Sequence, residues 1–139
     1  MAWLGNCPLE TFRFKFSLIV ATVGRIEPLV RLLDSLDLQR FRGFEVIVVD
    51  QNKPGVIDEI LSRFQLRFAI QHLRCATGLS LSRNAGLRHS RGQILAFPDD
   101  DCWYAPNGLE DVANLLNAHE EWDGLTVRLA DPKNPRCFP

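Results

Sequence analysis

Apolar runs of strand length alternate along this chain with segments whose apolar residues recur at helical spacing. Phe16 to Ala21 is apolar except for Ser17 and reads as a buried central strand. Ahead of it, Phe12, Phe14 and Phe16 alternate with Arg13 and Lys15, which predicts an edge strand in preference to an interfacial membrane segment. Leu29, Leu32, Leu33 and Leu36 form one helical face after Pro28, a residue suited to a first turn. Glu45 to Asp50 is a second, β-branched strand that ends in an acid. Turn chemistry at Gln51 to Gly55 precedes a helical pattern of Val56, Ile57, Ile60, Leu61 and Phe64. Leu66 to Leu73 is the third strand, Ser80 to His89 a helix and Ile94 to Phe97 the fourth strand, buried on both faces and stopped by Pro98. Leu109, Val112, Ala113 and Leu116 mark a further helix, and Gly124 to Leu129 a fifth strand.

Strands that alternate with helices through short loops predict an α/β fold, a mostly parallel, twisted sheet with helices on both faces. The expected divisions are an N-terminal lead-in over 1–15, one α/β domain over 16–130 and a C-terminal loop over 131–139. No internal repeat interrupts this order.

In a parallel sheet, three strand ends share one rim: Thr22 after the first strand, Asp50 after the second and Asp99-Asp100-Asp101 after the fourth. Ligands of open α/β sheets bind at that rim. Asp99 and Asp101, two apart on an extended chain, can point the same way while Asp100 points elsewhere. Three adjacent carboxylates with no cation in the local sequence suit Mg²⁺ or Mn²⁺ held together with substrate phosphates. An acidic turn capping the following helix is the alternative. No G-x-G-x-x-G follows the first strand and no P-loop occurs, so phosphate must be held by a metal at the acids and by a cation such as Arg83.

Composition narrows the classes. A chain of 139 residues is one domain by size, and a net charge of −1 argues against a nucleic-acid binder driven by overall basicity. The four cysteines form no C-x-x-C and read as reduced thiols. Without a signal-like start or an apolar run of membrane-spanning length, the expectation is a cytosolic protein, with peripheral association at the cytoplasmic membrane face left open. His72, His89 and His119 show no ligand spacing and suit core or surface roles. Trp103 and Tyr104 suit either a sugar pocket or packing under the next helix.

These residues resemble the family-2 glycosyltransferases of the GT-A fold, which use nucleotide-sugar donors. The resemblance runs from about Phe16 to Leu129. Ser17 to Arg25 is similar to the family's opening strand and its Pro-Thr-Tyr-Asn-Arg loop; Thr22 and Arg25 match, while Ala21, Val23 and Gly24 depart. Glu45 to Asn52 is similar to the strand ending in Asp-Asp-Gly-Ser; Asp50 matches, and Gln51, Asn52 and Lys53 do not. Gly78-Leu79-Ser80-Leu81-Ser82-Arg83-Asn84-Ala85-Gly86-Leu87, then Gly92, then Phe97 to Asp101, keeps residue types and spacings together and is the most specific segment.

The resemblance implies nucleotide binding by Thr22, Val23, Asp50, Arg83, Asn84, Asp99 and Asp100, with Asp50 facing the base. It implies a metal, Mg²⁺ or Mn²⁺, at Asp99 and Asp101, bridging the diphosphate. The implied donor is a nucleotide diphosphate-sugar, a UDP-sugar first, and the acceptor a glycan or a lipid-linked sugar, as in polysaccharide biosynthesis. Read alone, Asp50 is first a turn residue at a strand end, a solvated helix cation is the lesser alternative for Arg83, and Asn84 equally suits a residue that ties its loop to the backbone.

The family's general base comes from a later segment, and Glu120, Glu121, Asp123 and Asp131 do not fall in that motif. The expectation is therefore a donor-binding domain truncated before the acceptor half. Its apolar surface would be covered by self-association or by a partner chain. A non-catalytic nucleotide-binding or assembly module is the alternative, and a nucleotidyltransferase ranks below both.

Overall fold

The computed structural model describes residues 13–127. Four strands, β1 (Phe14–Thr22), β2 (Phe44–Asp50), β3 (Ala69–Arg74) and β4 (Gly92–Ala96), alternate with four helices. These are α1 (Ile26–Asp37), α2 (Asp58–Gln65), α3 (Leu79–Leu87) and α4 (Gly108–Ala118). The sheet has the order β3-β2-β1-β4, and every neighbouring pair is parallel.

Side chains of consecutive strand residues go to opposite faces, and here the two faces are covered unequally. Phe16, Leu18 and Val20 with Phe44, Val46 and Val48 meet Leu29, Leu32, Leu33 and Leu36 of α1. Leu61 and Phe64 of α2 and Leu109 and Ala113 of α4 complete that core. On the other face Ile19, Ile47 and Val49 pack with Ala85 and Leu87 of α3. Two glycines make this closeness possible. A Cβ on Gly86 would collide with Ile19, and one on Gly92 would collide with the backbone of Phe16 and Ser17.

Several expected boundaries move. Phe14 and Lys15 extend β1, which is an interior strand, so the expected edge strand is not formed; residues 1–12, with Phe12, lie outside the described residues. α2 begins at Asp58, because a turn through Pro54 and Gly55, with φ of 89° at the glycine, carries on through Ile57. β3 begins three residues late: Leu66 caps α2 and is exposed, and the amides of Arg67 and Phe68 still donate to the Phe64 carbonyl.

β4 is an edge rather than a strand buried on both faces. Leu95 and Phe97 are 43% and 41% exposed, because α3 packs mainly against β1 and β2. The fifth strand is not formed over residues 124–127; that stretch is largely exposed and has no pairing partner among the described residues. Leu129 and the segment 131–139 lie outside them.

Candidate active site

Register builds the rim. Thr22 is paired with Asp50 across β1 and β2, and Asp50 with Arg74 across β2 and β3, so the three last strand residues form one row. The Thr22 carbonyl accepts from the Gln51 amide, and the Asp50 carbonyl from the Cys75 amide, which carries the row into the loops.

Asp50 is buried and its carboxylate is fully engaged. Oδ1 accepts from the backbone amide and the side-chain amide of Asn52, both at 2.8 Å. Oδ2 lies 3.0 Å from His72 Nε2 and 3.3 Å from Arg74 Nη1. Burial acts to raise the pKa of this carboxyl, but the hydrogen bonds from Asn52 and His72 and the charge of Arg74 outweigh it and hold it below the ordinary value. A carboxylate offers about four lone-pair positions.

The neighbours that depart from the family pattern hold the loops. Asn52 Oδ1 accepts from the Gly24 amide at 2.6 Å, and Gln51 Oε1 from the Gly78 amide at 2.7 Å. Gly24 and Gly78 take φ of 67° and 150°, which side chains disfavour. Gly24 lies between β1 and α1, and Gly78 is the residue before α3. Val23 is 48% exposed beside Gly24.

The acid turn crosses the end of β1. Asp100 turns inward, 6% exposed, and accepts the Thr22 hydroxyl at 2.8 Å. Asp99 and Asp101 stay exposed. Their carboxylates and the Cys102 thiol bring one ligand atom each within 4.8 Å of one another. Burial, then the charges of Asp101 and Asp99, push the Cys102 thiol up, so it stays protonated near neutrality. The two carboxylates supply hard oxygen donors, the type suited to Mg²⁺ or Mn²⁺.

The acids have cations after all, supplied by distant segments. Arg25 Nη1 is 2.7 Å from Asp101 Oδ2 and 3.4 Å from Asp100 Oδ1. Arg83, on α3, lies 3.5 Å from Asp99 Oδ1 and above the Phe97 ring, 5.7 Å from its centroid. Asn84 is exposed next to Arg83.

The rim thus brings together Thr22, Asp50, Arg83, Asp99, Asp100 and Asp101, and adds Arg25, Asn52, His72 and Arg74. Arg25 had a signal, its place in the first motif. His72 had none, because its approach to Asp50 exists only through β2–β3 register. Asp50, Asp58 and His72 form a second group close enough for a metal, but Arg74 already supplies its counter-charge, 3.3 Å from Asp50 and 3.6 Å from Asp58. Tyr104 is half-buried, its hydroxyl pushed up to about 12 by desolvation. Trp103 lies under Arg31 of α1, 4.3 Å from guanidinium to ring centroid.

This arrangement has known counterparts. The family model for glycosyl transferase family 2 matches residues 17–132. The chain belongs to that family. An uncharacterized glycosyltransferase of Bacillus subtilis, YfnE, is 34% identical over 116 residues, 81% of this chain and 29% of its own length. A crystal structure of Staphylococcus aureus TarS in complex with UDP-GlcNAc superposes with a TM-score of 0.72 at 26% identity, over 84% of this chain and 38% of that one. TarS is described as a poly(ribitol-phosphate) β-N-acetylglucosaminyltransferase.

The mannosyltransferase PcManGT of Pyrobaculum calidifontis, in complex with GDP-Man and Mn²⁺, shares the fold: TM-score 0.67, 24% identity, 77% of this chain and 33% of that one. The parallel sheet thus has the GT-A fold and corresponds to part of these longer chains. The chain spans about a third of the length of curated relatives such as YfnE and B. subtilis YwdF, 29% and 38% respectively.

Proposed function

We propose that this chain is the donor-binding part of a glycosyltransferase, holding a nucleotide diphosphate-sugar together with Mg²⁺ or Mn²⁺ for transfer of the sugar to a glycan or lipid-linked acceptor. One observation carries the reading. A single rim holds a buried acceptor carboxylate at Asp50, an exposed carboxylate pair at Asp99 and Asp101, and two guanidiniums, Arg25 and Arg83, beside that pair. TarS, bound to UDP-GlcNAc, is the structural relative that supports a UDP-sugar as the first donor to try.

Each residue has a task within this reading. Asp50 receives the base, with Asn52 and His72 fixing its orientation. Thr22 locks Asp100, which sets the turn so that Asp99 and Asp101 face the diphosphate. Arg83 supplies a fixed cation to phosphate oxygens, the geometry guanidinium suits best, and Val23 and Asn84 line the same opening. Asp99 and Asp101 would hold the metal, which when bound supplies positive charge to the diphosphate as it leaves the anomeric carbon. The acceptor hydroxyl also needs a general base.

The exposed Leu95 and Phe97 at β4, the edge strand among the described residues, support a further element of the reading, that a partner chain or a second copy covers this side. A non-catalytic nucleotide-binding module shares every feature of the donor site. Sugar transfer by this chain alone would eliminate it. Among the described residues no helix is long and apolar enough to cross a membrane.

The test is calorimetric titration of UDP with and without Mn²⁺, for the wild type and for D99N/D101N. Metal-dependent binding that the double variant loses is the expected result. If UDP, GDP and dTDP all fail to bind a folded sample, the reading is wrong for this chain.

A further inference from the structure

The acid turn is closed by a cation of its own. Arg25, the residue before α1, places Nη1 2.7 Å from Asp101 Oδ2, and both side chains are about half exposed, 55% and 50%. An ion pair so open to water is held weakly and can part readily. Asp101 Oδ1 accepts a weak hydrogen bond from the Cys102 thiol, 3.8 Å away. Asp100 Oδ1, at 3.4 Å, offers the same guanidinium a second seat, and that carboxylate is fixed by Thr22.

We propose that Arg25 is an exchangeable counter-ion of Asp101: it neutralises the acid turn until a divalent cation arrives, and cation and guanidinium then exclude one another at that carboxylate. This rests on the reading that Asp99 and Asp101 ligate the metal. A singly charged group within contact distance of a ligand repels a doubly charged ion, and at this exposure the penalty is on the order of tenfold in ion affinity. The displaced guanidinium stays at the rim, held by Asp100. Arg25 is thus a positioning residue that sets how tightly the turn takes up metal.

The test is titration of Mn²⁺ alone into the whole chain, following loss of the free-ion electron paramagnetic resonance signal, for wild type, R25Q, R25K and D99N/D101N. The expected result is binding on the order of tenfold tighter in R25Q, near wild type in R25K and lost in D99N/D101N, with the R25Q advantage shrinking as salt rises. Binding that needs both acids but is equal or weaker in R25Q overturns the exchange and leaves the metal reading standing. Binding unaffected by D99N/D101N, or absent from every variant, overturns both. A readout free of substitution is the ¹⁵Nε resonance of Arg25 in the wild type: it should shift on addition of Mg²⁺, and a resonance that stays in place overturns the exchange.

Discussion

The Thr22 hydroxyl donates to Asp100 Oδ2 at 2.8 Å, joining the end of the first strand to the acid turn 78 residues later. Both residues are buried, at 1% and 6% exposure, so this bond is shielded from water and settles which of three consecutive acids turns inward. Its consequence is that Asp99 and Asp101 are left outside on one face.

Removing that donor should be felt in stability and in the site together. Thr22→Val keeps the shape and leaves Asp100 buried with, among the described residues, Arg25 alone at 3.4 Å. The expected loss is about 1–3 kcal/mol, as for a buried acceptor deprived of its partner, with weaker metal-dependent UDP binding. Thr22→Ser should recover most of both. Urea unfolding and calorimetry on the three proteins check this.

Gly86 is required by contact rather than by backbone angle. It sits inside α3 facing Ile19, and an added methyl has no room there. Gly86→Ala should destabilise the protein by about 1–3 kcal/mol, the usual range for overpacking. The double variant with Ile19→Val should regain part of that loss in thermal unfolding. If G86A alone is as stable as wild type, α3 does not pack on β1 as described.

The strands and helices were legible because burial imposes period: α1 carries its four leucines at helical spacing, and β2 is buried throughout. The motif around Arg83 and Asp99 to Asp101 was legible because its glycines answer to close contacts. What the sequence concealed came from register and long-range contact. His72 reaches Asp50 only because β3 pairs one particular way with β2, and Arg25 reaches Asp101 across 76 residues. The exposed face of β4 was hidden for a similar reason, since an apolar run does not say whether a neighbour covers it.

Asp50 joins three segments through one carboxylate, so its removal should loosen all of them. Asp50→Ala deprives the Asn52 amide, His72 and Arg74 of their partner, and Asn52 then holds the Gly24 amide less firmly. Faster hydrogen exchange at the Asn52 and Gly24 amides is expected, together with loss of UDP binding. Unchanged exchange at Gly24 would show that the loop after β1 is held by something other than Asn52.

Acid should expose a second buried carboxylate, at the opposite rim. Glu45 is fully buried, and it accepts from Ser17 Oγ at 2.7 Å, Gln71 Nε2 at 3.0 Å, the Arg91 amide at 2.7 Å and the Arg91 guanidinium at 2.9 and 2.6 Å. Burial acts to raise its pKa, but Arg91, Ser17 and Gln71 outweigh it, so the folded value lies below the ordinary 4.5. The folded chain therefore binds fewer protons at this group than the unfolded chain in the window between the two values. Stability from Glu45 is fully present above 4.5 and is lost as pH falls through the folded value. Asp50 acts with the same sign, from an ordinary value of 3.8. Glu45→Gln should lower stability near neutrality, by leaving Arg91 short of a charged partner, and should flatten the decline in acid. Urea midpoints of wild type and variant measured from pH 7 downward test it: curves that stay parallel below 4.5 would mean that the Glu45–Arg91 pair does not carry the acid sensitivity.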